Sequence, residues 1–203
     1  MLLTLHALRL KGLAELEVLA SVWPRDPEEL RAELDTAVAS GDVIRRDGRM
    51  SGWALSAAGR ERGERLLAEE RGAIGAGPAI VSAYEEFLGL NQPFLDLCTD
   101  WQLRPGEAGP VLNDHTEAAY DGQVIDRLGD AHRELSGVLS RLAVALDRFD
   151  RYPPAFDAAW GRVREGDTDW FCRPMLASYH TVWFELHEDL LATLGRTRSE
   201  ERQ

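Results

Sequence analysis

Near the end of the chain, the stretch CRPMLASYHTVWFELHEDL sets Arg173, His180 and His187 among apolar neighbours. On a single helix turning 100° per residue, these three fall within about 40° of one another, together with Phe184 and Leu191. Leu176, Trp183, Leu190 and Leu194 form the adjoining stripe. Two imidazoles and a guanidinium on an apolar face need partners for their polar atoms. Two readings stand. In one, Arg173, His180 and His187 meet an anionic or polar small molecule in a cavity whose wall includes Trp101, His115, Trp183 and Phe184. In the other, each histidine bonds to a neighbouring helix and belongs to the core. A metal is not expected. His180 and His187 are about 10 Å apart along a helix axis, whereas helical metal pairs use spacings of three or four. His132 occupies an apolar slot and reads as a core histidine. With no Gly-rich phosphate loop, no GxSxG and no paired carboxylates in an evident cleft, neither an enzyme nor a cofactor is expected.

A second set of chemically capable residues lies in GDVIRRDGRMSGWALSAAGRERGERL, Gly41 to Leu66. Arg45, Arg46 and Arg49 surround an Asp47-Gly48 turn pair, with Arg60 and Arg62 following. Arginine at such a place suits phosphate oxyanions. Upstream, Arg25 and Arg31 flank the start of a helix that also carries Glu28, Glu29 and Glu33, carboxylates that would repel a phosphate backbone. Residues 1–72 hold 11 Arg and Lys against 13 Asp and Glu, and residues 73–203 hold 12 against 22. Any nucleic-acid contact therefore has to come from the first part.

The elements that must position these groups follow from periodicity and punctuation. Leu2–Lys11 and Leu13–Trp23 repeat apolar residues at helical spacing, broken by Gly12 and stopped by Pro24. Asp26 is a good N-cap with Pro27 behind it, and that third helix runs to about Ser40 before Gly41 ends it. Val43–Ile44 and Trp53–Leu55 alternate as short strands, and Ser56 caps a helix from Ala57 to about Arg71. Three helices, a two-stranded hairpin and a closing helix predict a winged helix with the hairpin as its wing. The run WALSAAGRERGERL resembles the strand–LTxxGR–helix ending of MarR-like winged-helix regulators. The resemblance covers residues 1–72 and implies transcription regulation, with DNA contacted through wing arginines. On this chain the candidate DNA-binding residues are Arg25, Arg31, Arg45, Arg46, Arg49 and Arg60.

Gly72–Pro78, GAIGAGP, reads as a break, with 73–78 a linker. Beyond it no strand-like alternation is found. Helices are expected over Ala79–Leu90, Pro93–Leu103, Thr116–Phe149, Ala155–Val163 and Trp170–Leu194, with RPGEAGPVLND as a loop. Leu128, Leu135 and Leu142 recur every seven residues, a seam for packing within the chain or between two copies in a homodimer. The fold class is therefore mostly α: a winged-helix domain over 1–72, an α-helical ligand-sensing or dimerisation bundle over 79–195, and a flexible tail over 196–203. Cys98 and Cys172 form no CxxC pair and read as small buried hydrophobes. With no run of 18 apolar residues and no signal-peptide pattern at the start, a cytoplasmic protein without membrane contact is expected. The function expected is a ligand-responsive transcriptional regulator binding double-stranded DNA and a small molecule, anionic or aromatic. The alternative is a winged-helix module that binds no DNA and regulates, or docks on, a cytosolic enzyme.

Overall fold

The computed structural model describes residues 1–75 and 77–202. The chain is mostly helical, at 71%, and among the described residues there are two short antiparallel two-stranded sheets. It divides into two compact units, Met1–Gly77 with His187–Gln203, and Pro78–Leu186. Among the described residues no helix is long and apolar enough to cross a membrane.

The first unit runs α1 (Leu2–Lys11), α2 (Leu16–Val22), α3 (Pro27–Ala39), β1 (Val43–Arg46), β2 (Gly52–Leu55) and α4 (Ala57–Ile74). Its boundaries have local causes. The Asp26 carboxylate accepts from the backbone N–H groups of Glu28 and Glu29, closing the start of α3. Gly41, at φ 79°, turns the chain out of that helix. Ser56 Oγ accepts from Gly59 N and caps α4. The second helix is shorter than its apolar pattern predicts, because Ala14 is drawn into backbone pairing with Trp53: each N–H donates to the other's carbonyl, at 2.9 and 3.1 Å. This close approach demands Gly52, whose φ is +141° and where a Cβ would lie 2.5 Å from the Ala14 carbonyl oxygen. Leu5, Leu8, Leu19, Leu30, Leu34, Val43 and Trp53 form the core.

The second unit contains α5 (Gly77–Gln102), β3 (Leu103–Arg104), β4 (Val111–Leu112), α6 (Ala118–Ala145), a 3-10 turn (Asp147–Arg151), α7 (Tyr152–Arg164), α8 (Asp169–Cys172) and the start of α9 (Tyr179–Leu194). Four expectations change here. Pro93 does not divide two helices: α5 passes through it, because Ile80, Tyr84, Phe87, Phe94, Leu97 and Trp101 keep one buried stripe in register. That burial outweighs a lost backbone hydrogen bond. The RPGEAGPVLND loop contains a two-residue ladder pairing β3 with β4. Pro153 and Pro154 sit in the first turn of α7, where a missing N–H costs nothing. The long final helix is two, since Pro174 forces Arg173 into extended backbone (ψ 123°) and Met175 takes φ 70° before α9 begins.

The expected linker at 73–78 is largely helical, with α4 reaching Ile74 and α5 starting at Gly77; Ala76 lies outside the described residues. The second compact unit ends at Leu186, within α9, rather than at 195. Leu128, Leu135 and Leu142 are fully buried within the single chain, so the heptad seam is not free to pair two copies. In the expected tail, Glu200–Arg202 forms a 3-10 turn; Gln203 lies outside the described residues.

Candidate functional site

The β1–β2 hairpin is held at its base. Asp42, buried, accepts from Ser40 Oγ at 2.8 Å and from Arg62, and the hydroxyl bond and the guanidinium together hold its carboxyl below the usual range despite burial. Cross-strand pairing sets Arg45 opposite Trp53 and Arg46 opposite Gly52. Directly opposed residues share a face, so the Arg45 guanidinium lies 4.8 Å from the centre of the Trp53 ring. From α3, Arg31 approaches the same ring at 5.8 Å. Arg45 also meets Asp47 at 3.3 Å.

The six arginines expected to contact DNA therefore differ in freedom. Arg25 donates to Thr4 Oγ1 at 2.9 Å and to Glu33. Burial opposes ionisation of Glu33, but Thr4, Arg25 and the N-terminal ammonium together bring its pKa down to about 2. Arg25 is thus committed inside the unit, and Arg31 and Arg45 are partly committed to Trp53. Arg46, Arg49 and Arg60 are exposed, and among the described residues their side chains carry no ion pair or hydrogen bond. The exposed face of α3 presents Glu28, Glu29 and Asp35.

The face drawn through Arg173, His180 and His187 does not form as one helix surface. Arg173 lies before α9 and pairs with Asp169 on the surface. His180 belongs to the second unit, where its ring stacks on Phe94 at 6.2 Å and burial pushes its pKa down. His187 belongs to the first unit, is buried, and donates through Nε2 to Glu201 Oε1 at 2.6 Å. Trp183 is buried against Phe94 (4.1 Å) and Phe87 (4.9 Å) and donates its indole N–H to Asn91 Oδ1 at 2.9 Å. Phe184 is half exposed.

Trp101 and His115 do come together, at 4.4 Å, with Phe171 stacked on Trp101 at 4.5 Å. His115, at φ +58°, donates from Nδ1 to Asp121 Oδ2 at 3.0 Å, and Asn113 Nδ2 donates to the other Asp121 oxygen at 2.8 Å. This polar knot ties the β4–α6 loop to the first turn of α6. Cys98 makes a hydrogen bond with Cys172, and that bond, with burial, pushes the Cys98 thiol up.

Three features of the structure have no counterpart in the sequence pattern. Tyr179 Oη donates to His132 Nδ1, and His132 Nε2 donates to Asp157 Oδ1, each at 3.3 Å. Beside His132 opens a cleft of about 330 Å³, lined by Asp126, Gly129, Asp130, Arg133 and Trp160. In the first unit, His6 Nε2 donates to Asp189 Oδ1 at 2.9 Å with both side chains fully buried, and Thr193 Oγ1 also donates to Asp189. No local pattern links residues 183 positions apart, so only the fold exposes that pair.

Comparison with known proteins finds no matching protein family, no matching curated protein and no matching solved structure.

Proposed function

We propose that the first unit is a winged-helix module of the MarR-like kind, with the β1–β2 hairpin as its wing. The protein is then a ligand-responsive transcriptional regulator that contacts double-stranded DNA through that wing. The observation that carries this reading is the state of Arg46 and Arg49. In a chain with 35 carboxylates against 23 Arg and Lys, both stand exposed on the hairpin without an ion-pair partner among the described residues. Order also supports it: helix, Ala14 bridge, two helices, hairpin, closing helix. The His132–Trp160 cleft has a volume in the usual ligand range and a mainly charged lining of Asp126, Asp130 and Arg133, so a small molecule held there would be a polar one. Burial holds the His180 imidazole toward its neutral form, a poor grip for an anion.

Fluorescence anisotropy with a duplex from the region upstream of the protein's own gene tests the proposal. Arg46→Ala with Arg49→Ala should weaken binding and reduce the slope of log Kobs against log salt by about two, one for each phosphate no longer neutralised. Absence of binding by the wild type at low salt contradicts it. A second reading, a winged module that docks on a protein, is favoured by the acidic outer face of α3 with Glu28, Glu29 and Asp35. It is the reading left if DNA is not bound.

A further inference from the structure

We propose that Cys98 and Cys172 form a peroxide-responsive thiol pair, which closes to a reversible disulfide clasping α8 onto α5. The inference goes beyond the regulator reading and does not rest on it, since both residues belong to the second unit. The chain has two cysteines, and the fold brings their thiols into hydrogen-bond contact.

A neighbouring ring contact fixes the same two helices to each other. Cys98 and Trp101 lie three residues apart on the buried stripe of α5, and Phe171 and Cys172 are consecutive on α8. The Trp101 and Phe171 rings stack with centres 4.5 Å apart and planes at 8°. A disulfide needs side chains that point at one another, and a thiol–thiol hydrogen bond already requires this. Closing the pair brings the sulfurs from that contact to about 2 Å. The short helix α8 can make the approach: it has four residues, is anchored by the buried Phe171 ring, and leads into a turn where Met175 is 99% exposed.

The two thiols take different parts. Cys172 is half-buried and within reach of an oxidant in solution, whereas Cys98 is 6% exposed. The bond to Cys172, with burial, pushes the Cys98 thiol up and keeps it protonated. Cys172 is therefore the residue that meets peroxide. Its thiolate attacks one peroxide oxygen, the O–O bond breaks, and the other oxygen leaves as hydroxide and is protonated to water. Cys172 is now a sulfenic acid. The Cys98 sulfur attacks the Cys172 sulfur, the S–S bond forms as the S–O bond breaks, and the hydroxyl leaves with the Cys98 proton as a second water. Two thiols lose two electrons in all, and one peroxide becomes two waters. An external thiol restores the pair by exchange. Cys98 thus captures the sulfenic acid before a second peroxide can carry it to the irreversible sulfinic acid.

The test treats the reduced full chain with hydrogen peroxide and reads it by thiol titration and non-reducing peptide mapping. The wild type should lose both free thiols and give one peptide pair joined through Cys98 and Cys172, and dithiothreitol should restore both thiols. Cys98→Ala should leave Cys172 as a sulfenic acid that dimedone traps, and then as a sulfinic acid. Cys172→Ser should leave Cys98 unmodified at the same peroxide dose, because the remaining thiol is the buried one. A wild type whose Cys172 gains oxygen as it does in Cys98→Ala, with no joined peptide, would overturn the pair. A disulfide joining two chains through Cys172, or two thiols that survive excess peroxide, would overturn it equally. The wild-type map decides the question by itself if either variant fails to fold.

Discussion

Burial decides what the histidines of the second unit can do. His180 packs against Phe94, and desolvation alone pushes its pKa down; at His132 desolvation again dominates, with Asp157 acting in the opposite direction. A depressed histidine pKa means that the unfolded chain takes up the proton first. The stabilising contribution is then complete above about pH 6.5, the unfolded value, and is lost as pH falls below it. The urea midpoint of the wild type should therefore fall between about pH 7 and pH 5, and His180→Phe should fall less steeply over that range. A variant that tracks the wild type across the whole interval would contradict the burial argument. His187 illustrates the other fate of a histidine on an apolar face. Its Nε2–H is satisfied by Glu201, the kind of partner expected of a core histidine.

At the level of elements, the packing of α4 on the hairpin depends on one missing side chain. A Cβ at Gly59 would fall 1.9 Å from the Asp42 carbonyl oxygen, and that backbone is itself fixed by Ser56 N donating to Asp42 O at 2.9 Å. Gly59→Ala should cost about 2–4 kcal/mol, measured by chemical denaturation, because backbone rather than a flexible side chain must give way. A loss below about 0.5 kcal/mol, the range of neutral surface changes, would show that α4 can slide from this position. The first-unit elements are legible in the sequence because their signals are local: Asp26 with Pro27, Gly41 and Ser56 each act within a few residues. The longer elements of the second unit are not. Pro93 has the local character of a break, but the Ile80-to-Trp101 stripe runs straight through it, and only the neighbours that bury the stripe reveal its strength. The converse holds at Pro174, where a face drawn on one uninterrupted helix includes Arg173, which α9 does not contain. Exposure of the hairpin arginines is legible from their types and spacing. The cation–π contacts on Trp53 are not, because they depend on strand register and on Arg31 arriving from α3.

At the scale of the molecule, sequence order and compact units diverge. His187–Gln203 belongs with Met1–Gly77, where Asp189 completes the buried pair with His6, Glu188 accepts from Arg9 at 2.9 Å, and Arg71 donates to the Thr193 carbonyl at 2.7 Å. A fragment ending at Gly77 would leave His6 without its buried hydrogen-bond partner, a loss on the order of 1–3 kcal/mol. The fragment should unfold at markedly lower urea than the same unit in the full chain. Equal midpoints would mean that the C-terminal segment contributes no stability to it.

DNA binding is also decided at the scale of the whole molecule, because an acidic chain can hold a duplex only if a few arginines outweigh its overall repulsion. The most direct measurement is the salt dependence of full-chain binding to the upstream duplex. Contacts from Arg46 and Arg49 predict binding at low salt and a slope of log Kobs against log salt of about −2 for one chain. A wild type that shows no affinity for duplex at about 50 mM salt, where counterion release most favours binding, would contradict the proposal that the hairpin is a DNA-binding wing.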